Sequence, residues 1–95
     1  MILLMKAFRE KVMAITKKIP KGSVMTYGEV ARLAGSPGAA RAVGSILKTN
    51  YDPAIPCHRV IRAHGEIGNY NRGGQKKKTA LLRSEGALQE VYDVR

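Results

Sequence analysis

Apolar residues recur at helical spacing near the start of the chain: Phe8, Val12, Ile15 and Ile19 lie three or four positions apart, with Arg9, Glu10, Lys11, Lys17 and Lys18 on the other faces. This pattern predicts an amphipathic helix from about Lys6 to Lys18 that buries one face. Pro20 and Gly22 end it, since proline lacks the N–H a helix needs and glycine favours a turn. Thr26-Tyr27-Gly28-Glu29 then has the form of a capping box, in which Thr26 accepts from a free backbone N–H while Glu29 reaches back to the cap. A short second helix is expected there, carrying Val30, Leu33 and Ala34 inward and stopping at Gly35. Ser36-Pro37 offers an N-cap and first turn for a third helix, which ends near Asn50.

On that third helix Ala40, Val43 and Leu47 form an apolar stripe, while Gly38, Arg41, Ser45 and Lys48 form a second face that is small and basic. Two short helices joined by a tight glycine turn outline a helix-turn-helix, whose second helix meets DNA. Arg41 stands at the centre of the small face, and spacing alone leaves it equally a solvated surface arginine. Pro53 and Pro56 make 51–56 an irregular loop. The β-branched stretch from Cys57 to Arg62, followed by Ala63-His64-Gly65 and Glu66-Ile67, predicts two short strands joined by a turn, comparable to a wing. After a turn-rich loop from Asn69 to Gly74, Gln75 to Ser84 reads as a final helix closed by Gly86, with Lys76-Lys77-Lys78 as a solvated face or, at a basic helix start, a phosphate contact. The predicted fold class is mainly α with a small β hairpin, a winged helix-turn-helix-like arrangement, and residues 1–95 are expected to form a single domain.

Charge narrows the function. Lys and Arg number 17 against 7 Asp and Glu, a formal net charge of +10, which suits a polyanionic partner such as nucleic acid, although basic proteins can also be basic for solubility alone. From Val30 to Gly65 the single acid is Asp52, against Arg32, Arg41, Lys48, Arg59 and Arg62, so a phosphate backbone would be drawn to the middle of the chain. One cysteine cannot form an internal disulfide, and with only His58 and His64 beside it a structural zinc site is not expected; no metal or other cofactor is predicted. The opening Met1-Ile2-Leu3-Leu4-Met5 is too short for a signal peptide or a membrane span. A monomer in the cytoplasm or nucleoid, or in the nucleus of a eukaryote, is the expectation.

The strongest candidate nucleophile is Cys57, next to His58 and Arg59. Thiolate is the reactive form, and a nearby imidazole or positive charge favours it. An isolated cysteine is also commonly inert packing, and strand neighbours point to opposite faces. The residues taken alone leave both readings open.

Ile55-Pro56-Cys57-His58-Arg59-Val60-Ile61, followed by Gly65 and Gly68-Asn69-Tyr70, closely resembles the active-site region of the O6-alkylguanine-DNA alkyltransferases. Gly22-Ser23-Val24-Met25-Thr26-Tyr27-Gly28-Glu29 and Ala39-Ala40-Arg41-Ala42-Val43-Gly44 resemble the DNA-binding helices of the same family, and Asn50 sits where the family places its hinge asparagine. The likeness runs from about Phe8 to Gly86. It implies a single-turnover protein that binds double-stranded DNA containing O6-alkylguanine, flips the base and accepts its alkyl group on Cys57. It further implies that His58, through a water, takes the Cys57 proton, that Glu85 orients His58, and that Tyr70 donates to the departing guanine oxygen. Asn71 and Tyr27 would line the base pocket, with Tyr27 pressing on the rotating phosphate and Arg41 filling the vacated stack. Ala39, Ala40, Gly44, Ser45, Lys48 and Arg59 are the remaining expected DNA contacts. The family usually carries an additional N-terminal domain that these residues do not include. Two alternatives stand beside this reading: an alkyltransferase-like sensor that holds the lesion without repairing it, and a winged-helix regulator in which Cys57 is inert. The family's sensing branch commonly has tryptophan or alanine where this chain has cysteine.

Overall fold

A computed structural model describes residues 2–68 and 70–88; Asn69, expected in the loop before the last helix, lies outside the described residues. Four helices, α1 (Ile2–Lys17), α2 (Tyr27–Leu33), α3 (Ala40–Lys48) and α4 (Gly74–Ser84), accompany two very short strands, β1 (Met25–Thr26) and β2 (Val60–Ile61). The mainly helical class with one small sheet is as expected, and α2 packs chiefly on α3 in the helix-turn-helix manner. No described helix is long and apolar enough to cross a membrane.

Helix α1 presents the expected stripe: Val12 is fully buried, and Phe8 and Ile15 pack at the margin of the core. Thr16 joins that face because its hydroxyl donates to the Val12 carbonyl at 2.8 Å, so its one polar group enters the core already satisfied. The capping box at α2 forms as read. Glu29 N donates to Thr26 Oγ1 at 3.0 Å, and Thr26 N donates to Glu29 Oε1 at 2.9 Å. From α2 the buried residues are Val30, Ala31 and Ala34, whereas Leu33, expected inward, is 54% exposed. The helix ends at Leu33, and its inward arc is centred one position away from the predicted one. Helix α3 begins at Ala40 with Ala39 as a cap that makes no side-chain hydrogen bond, so Ser36-Pro37 belongs to the preceding turn and does not cap it. Val43 and Leu47 complete the core.

The predicted wing is replaced by a different pairing. Strand β2 lies parallel to β1, with Met25 opposite Val60 and Thr26 opposite Ile61. Cys57–Arg59 is one turn of 3-10 helix leading into β2, and Ala63–Gly65 is a second such turn. Glu66-Ile67 forms no strand; its one ladder-like bond runs from Arg62 N to the Glu66 carbonyl at 2.8 Å. Val60 and Ile61 are both buried, so they pair with the core-side strand β1 in place of an exposed neighbour. This register carries the Cys57 turn beneath the first residue of α2, Tyr27.

Candidate DNA-facing active site

An open cleft of about 1020 Å³ runs between α3 and the Cys57 turn. Cys57, Tyr27, Tyr70 and Asn71 line its inner end, while Ala40, Arg41, Gly44, Ser45 and Lys48 line its α3 wall. The fold therefore gathers most of the expected site residues from four separate stretches of chain. Arg41, Ser45 and Lys48 are exposed. Ala39 packs against the core and is not part of the lining.

Behind the cleft the 3-10 turn buries Cys57 and His58 side by side. His58 Nε2 lies 2.9 Å from Glu85 Oε2, at the C-terminal end of α4. The same carboxylate accepts from Arg59 Nε and Nη2, each at 2.9 Å, and Arg59 Nη1 donates to the Ile19 carbonyl at 2.8 Å. Arg59 was expected among the DNA contacts; its three nitrogens are instead committed to Glu85 and Ile19, within the protein. A forked guanidinium matches a carboxylate in this way because two parallel N–H bonds fit its two oxygens. The Arg59 hydrogen bonds, reinforced by His58, hold the Glu85 carboxyl down to about 2 against the opposing effect of burial. Glu85 is thus ionised at neutral pH and acts as an acceptor alone.

Asn50 is buried, and its Oδ1 accepts from Asp52 N at 3.1 Å while its Nδ2 reaches the Ile55 carbonyl at 3.5 Å. It holds the loop that delivers Cys57. Asn71 has a task the sequence did not suggest: its Nδ2 donates to the carbonyls of Leu47 and Asn50, at 3.4 and 2.9 Å, and to that of Lys48. These carbonyls lie at and just beyond the C-terminus of α3, where helical partners run out; that of Leu47 also accepts from Asn50 N at 3.1 Å. One amide group thereby fixes the C-terminus of the cleft wall, and its Oδ1 stays buried with no acceptor bond among the described residues.

Two more side chains belong to the site without having been singled out. Arg72 Nη2 donates to Cys57 Sγ at 3.1 Å and to the Ile55 carbonyl at 3.3 Å, with the guanidinium 5.4 Å from the centre of the Tyr70 ring. Gly73, at φ 135°, makes this approach possible: a Cβ there would lie 2.7 Å from Lys77 Cβ, so no other residue fits the turn between Arg72 and α4. Lys78, read as part of a solvated run, is 1% exposed. Its Nζ donates to Tyr27 Oη at 3.3 Å and stands 5.5 Å from the centre of that ring. The signal was present, since Lys78 precedes the fully buried Leu82 by one helical turn. No comparable signal marks Arg72.

Burial raises the ionisation points of both Tyr27 and Tyr70, and the proximity of Cys57 adds to this, while Arg62 and Arg72 respectively oppose it. Both phenols therefore remain O–H donors at neutral pH. Burial lowers Lys78 to about 8. Because the folded state disfavours the charged amine, its cost is fully present below pH 8 and is relieved as pH rises toward the free value of 10.5. Chemical denaturation of the parent and of Lys78→Met should show a stability gap that shifts in the parent's favour by about 2–3 kcal/mol across that interval. A gap that does not change with pH would mean that Lys78 is not held against its charge.

Residues 7–87 match the family model described as the DNA binding domain of 6-O-methylguanine DNA methyltransferase. The chain belongs to that family. It is 48% identical over 79 residues to the methylated-DNA–protein-cysteine methyltransferase of Rattus norvegicus, covering 82% of this chain and 38% of the relative. It is 45% identical over 83 residues to the DNA base-flipping protein of Escherichia coli, covering 86% of this chain and 64% of that protein. Among solved structures, Mycobacterium tuberculosis OGT in complex with DNA superimposes with a TM-score of 0.77 at 44% identity, over 82% of this chain and 48% of that one. The chain thus spans less than two thirds of each of these relatives.

Proposed function

We propose that this chain repairs DNA by turning an O6-alkylguanine out of the duplex into the cleft and taking its alkyl group irreversibly onto Cys57. The observation that carries this reading is the position of the single thiol, at the inner end of a cleft whose outer wall is the small, basic face of α3. A stacked guanine hides its O6 substituent, so the base must leave the helix before any protein nucleophile can reach it. Arg41 on the outer wall fills the gap, and the exposed Ser45 and Lys48 lie along the sugar-phosphate backbone. Gly44 and Ala40 keep that wall low enough to enter a groove without reading sequence.

In the transfer, the Cys57 thiolate supplies an electron pair to the alkyl carbon as the bond from that carbon to O6 breaks, and the leaving pair goes to the guanine. Because Glu85 accepts only, His58 Nε2 carries the proton shared with it, which leaves Nδ1 free to accept the thiol proton of Cys57 directly or through water. The protonated Tyr70, or Tyr27, donates to the guanine as negative charge builds on it. A thioether does not hydrolyse under these conditions, so each molecule acts once. The whole requires no metal.

Intact-protein mass spectrometry after incubation with duplex DNA containing O6-methylguanine should show the gain of one methyl group, located on Cys57. A second reading, lesion holding without transfer, draws on the likeness to the E. coli base-flipping protein. Protein recovered unmodified from a complex that demonstrably held the lesion would replace repair by that reading.

A further inference from the structure

We infer that Arg72 is the cation that holds Cys57 as a thiolate, a catalytic contact additional to the His58–Glu85 pair. The inference rests on the transfer reading above only for its purpose; the contact itself does not need DNA. A guanidinium can only donate, so at 3.1 Å from Nη2 the sulfur is the acceptor. A thiol or thioether sulfur accepts weakly, whereas a thiolate accepts a charge-assisted bond well. The rest of the side chain is arranged to keep Nη2 there. The same nitrogen reaches the Ile55 carbonyl, the guanidinium lies against Tyr70, and Nε is buried with no hydrogen-bond partner among the described residues. A buried N–H left unpaired marks a position set by another demand, and the sulfur is the one reactive group this guanidinium meets. Tyr27 of α2, Lys78 of α4 and Tyr70 of the loop also lie near enough to Cys57 to interact with its charge, and His58 follows it in the same turn. Among the described residues, Arg72 is the one that hydrogen-bonds Sγ.

A bond that stabilises the thiolate also weakens it as a nucleophile. For each tenfold gain in thiolate population, intrinsic reactivity falls roughly threefold. The consequence is a pH signature that a packing role does not produce. With iodoacetamide, the thiolate forms an S–C bond and iodide departs with the C–I electron pair, so the probe reads Cys57 without DNA. Arg72→Gln keeps much of the shape and a donor but removes the charge. It should be carboxamidomethylated about threefold more slowly than the parent at pH 6–7 and about threefold faster at pH 10, where the thiolate forms without help. Arg72→Lys, which restores the charge, should stay close to the parent at both ends, and circular dichroism at pH 7 and 10 verifies that all three are folded. Profiles that keep a constant ratio across pH, or a lysine variant that behaves like the glutamine one, would overturn the assignment. The parent is tested in parallel with O6-methylguanine DNA. Crossing profiles together with no methyl gain from DNA would sustain Arg72 as the thiolate partner and overturn repair, so the two readings fail separately.

Discussion

Cys57→Ser is expected to lose alkyl transfer entirely, by roughly a thousandfold or more, because a neutral hydroxyl at pH 7 offers almost none of the anionic nucleophile that a thiol does. Binding to lesion DNA should change little, since the α3 wall is untouched. Arg41→Ala should fail differently. It lies exposed on α3, far from the His58–Glu85 pair in sequence, and is assigned to holding the extruded state. Its loss leaves a few kcal/mol of unstacking less compensated, so binding and transfer should weaken together by about ten- to a hundredfold. Single-turnover rates on a duplex, on a single strand and opposite an abasic site separate the two variants. The arginine variant should recover much of its rate on the unpaired substrates, and the serine variant should recover none. Equal defects of Arg41→Ala on paired and unpaired DNA, with a salt slope smaller by about one, would reduce Arg41 to an ordinary phosphate contact.

Glu85→Gln carries the second large effect, and the geometry makes it broader than a change in His58 alone. The carboxylate is the common acceptor for His58 and for two nitrogens of Arg59, which in turn ties α4 to the end of α1 through Ile19. Transfer at saturating DNA should fall about a hundredfold as His58 loses its anionic partner, with DNA affinity nearly unchanged. Stability should fall as well. The folded carboxyl titrates near 2 against 4.5 when free, so its contribution is complete above pH 4.5 and is lost as pH drops toward 2. That contribution is on the order of 2–3 kcal/mol, or roughly 10 °C or more in Tm for a chain of this size. Melting curves between pH 2 and 7 should show the parent falling toward the glutamine variant as acid is added. Two curves that remain parallel would show that the Arg59–Glu85 clamp contributes little. An unchanged transfer rate would remove Glu85 from the chemistry.

The shared carboxylate alters how the site is understood. Arg59 competes with His58 for Glu85 and at the same time fixes it, so the triad-like pair is held from behind by a cation whose three nitrogens all bond within the protein. Asn71 plays a similar double part, joining the base end of the cleft to the terminus of α3. One side chain thereby ties the C-terminus of α3 to the loop that carries Tyr70 and Arg72.

Local features were legible in the residue order. The apolar stripes of α1 and α3, the Thr26–Glu29 capping box and the break at Gly35 each depend on interactions within one turn of chain, so spacing reveals them. The Cys57-His58-Arg59 segment and the small basic face of α3 offered a nucleophile and a nucleic-acid surface as candidates, and spacing by itself left each open. What pairs with what was decided by the tertiary structure. A two-residue strand has no pattern that names its partner, and burial on both sides drew Val60 and Ile61 to Met25 and Thr26, not to the nearby Glu66-Ile67. Packing also decided which arc of α2 met the core, burying Ala31 and leaving Leu33 outward. Arg59 settled on Glu85 and Ile19, and Arg72 reached the sulfur, because long charged side chains settle on whichever acceptors the folded chain brings within about 3 Å; that choice is made only when Glu85, Ile19 and Cys57 stand together in space.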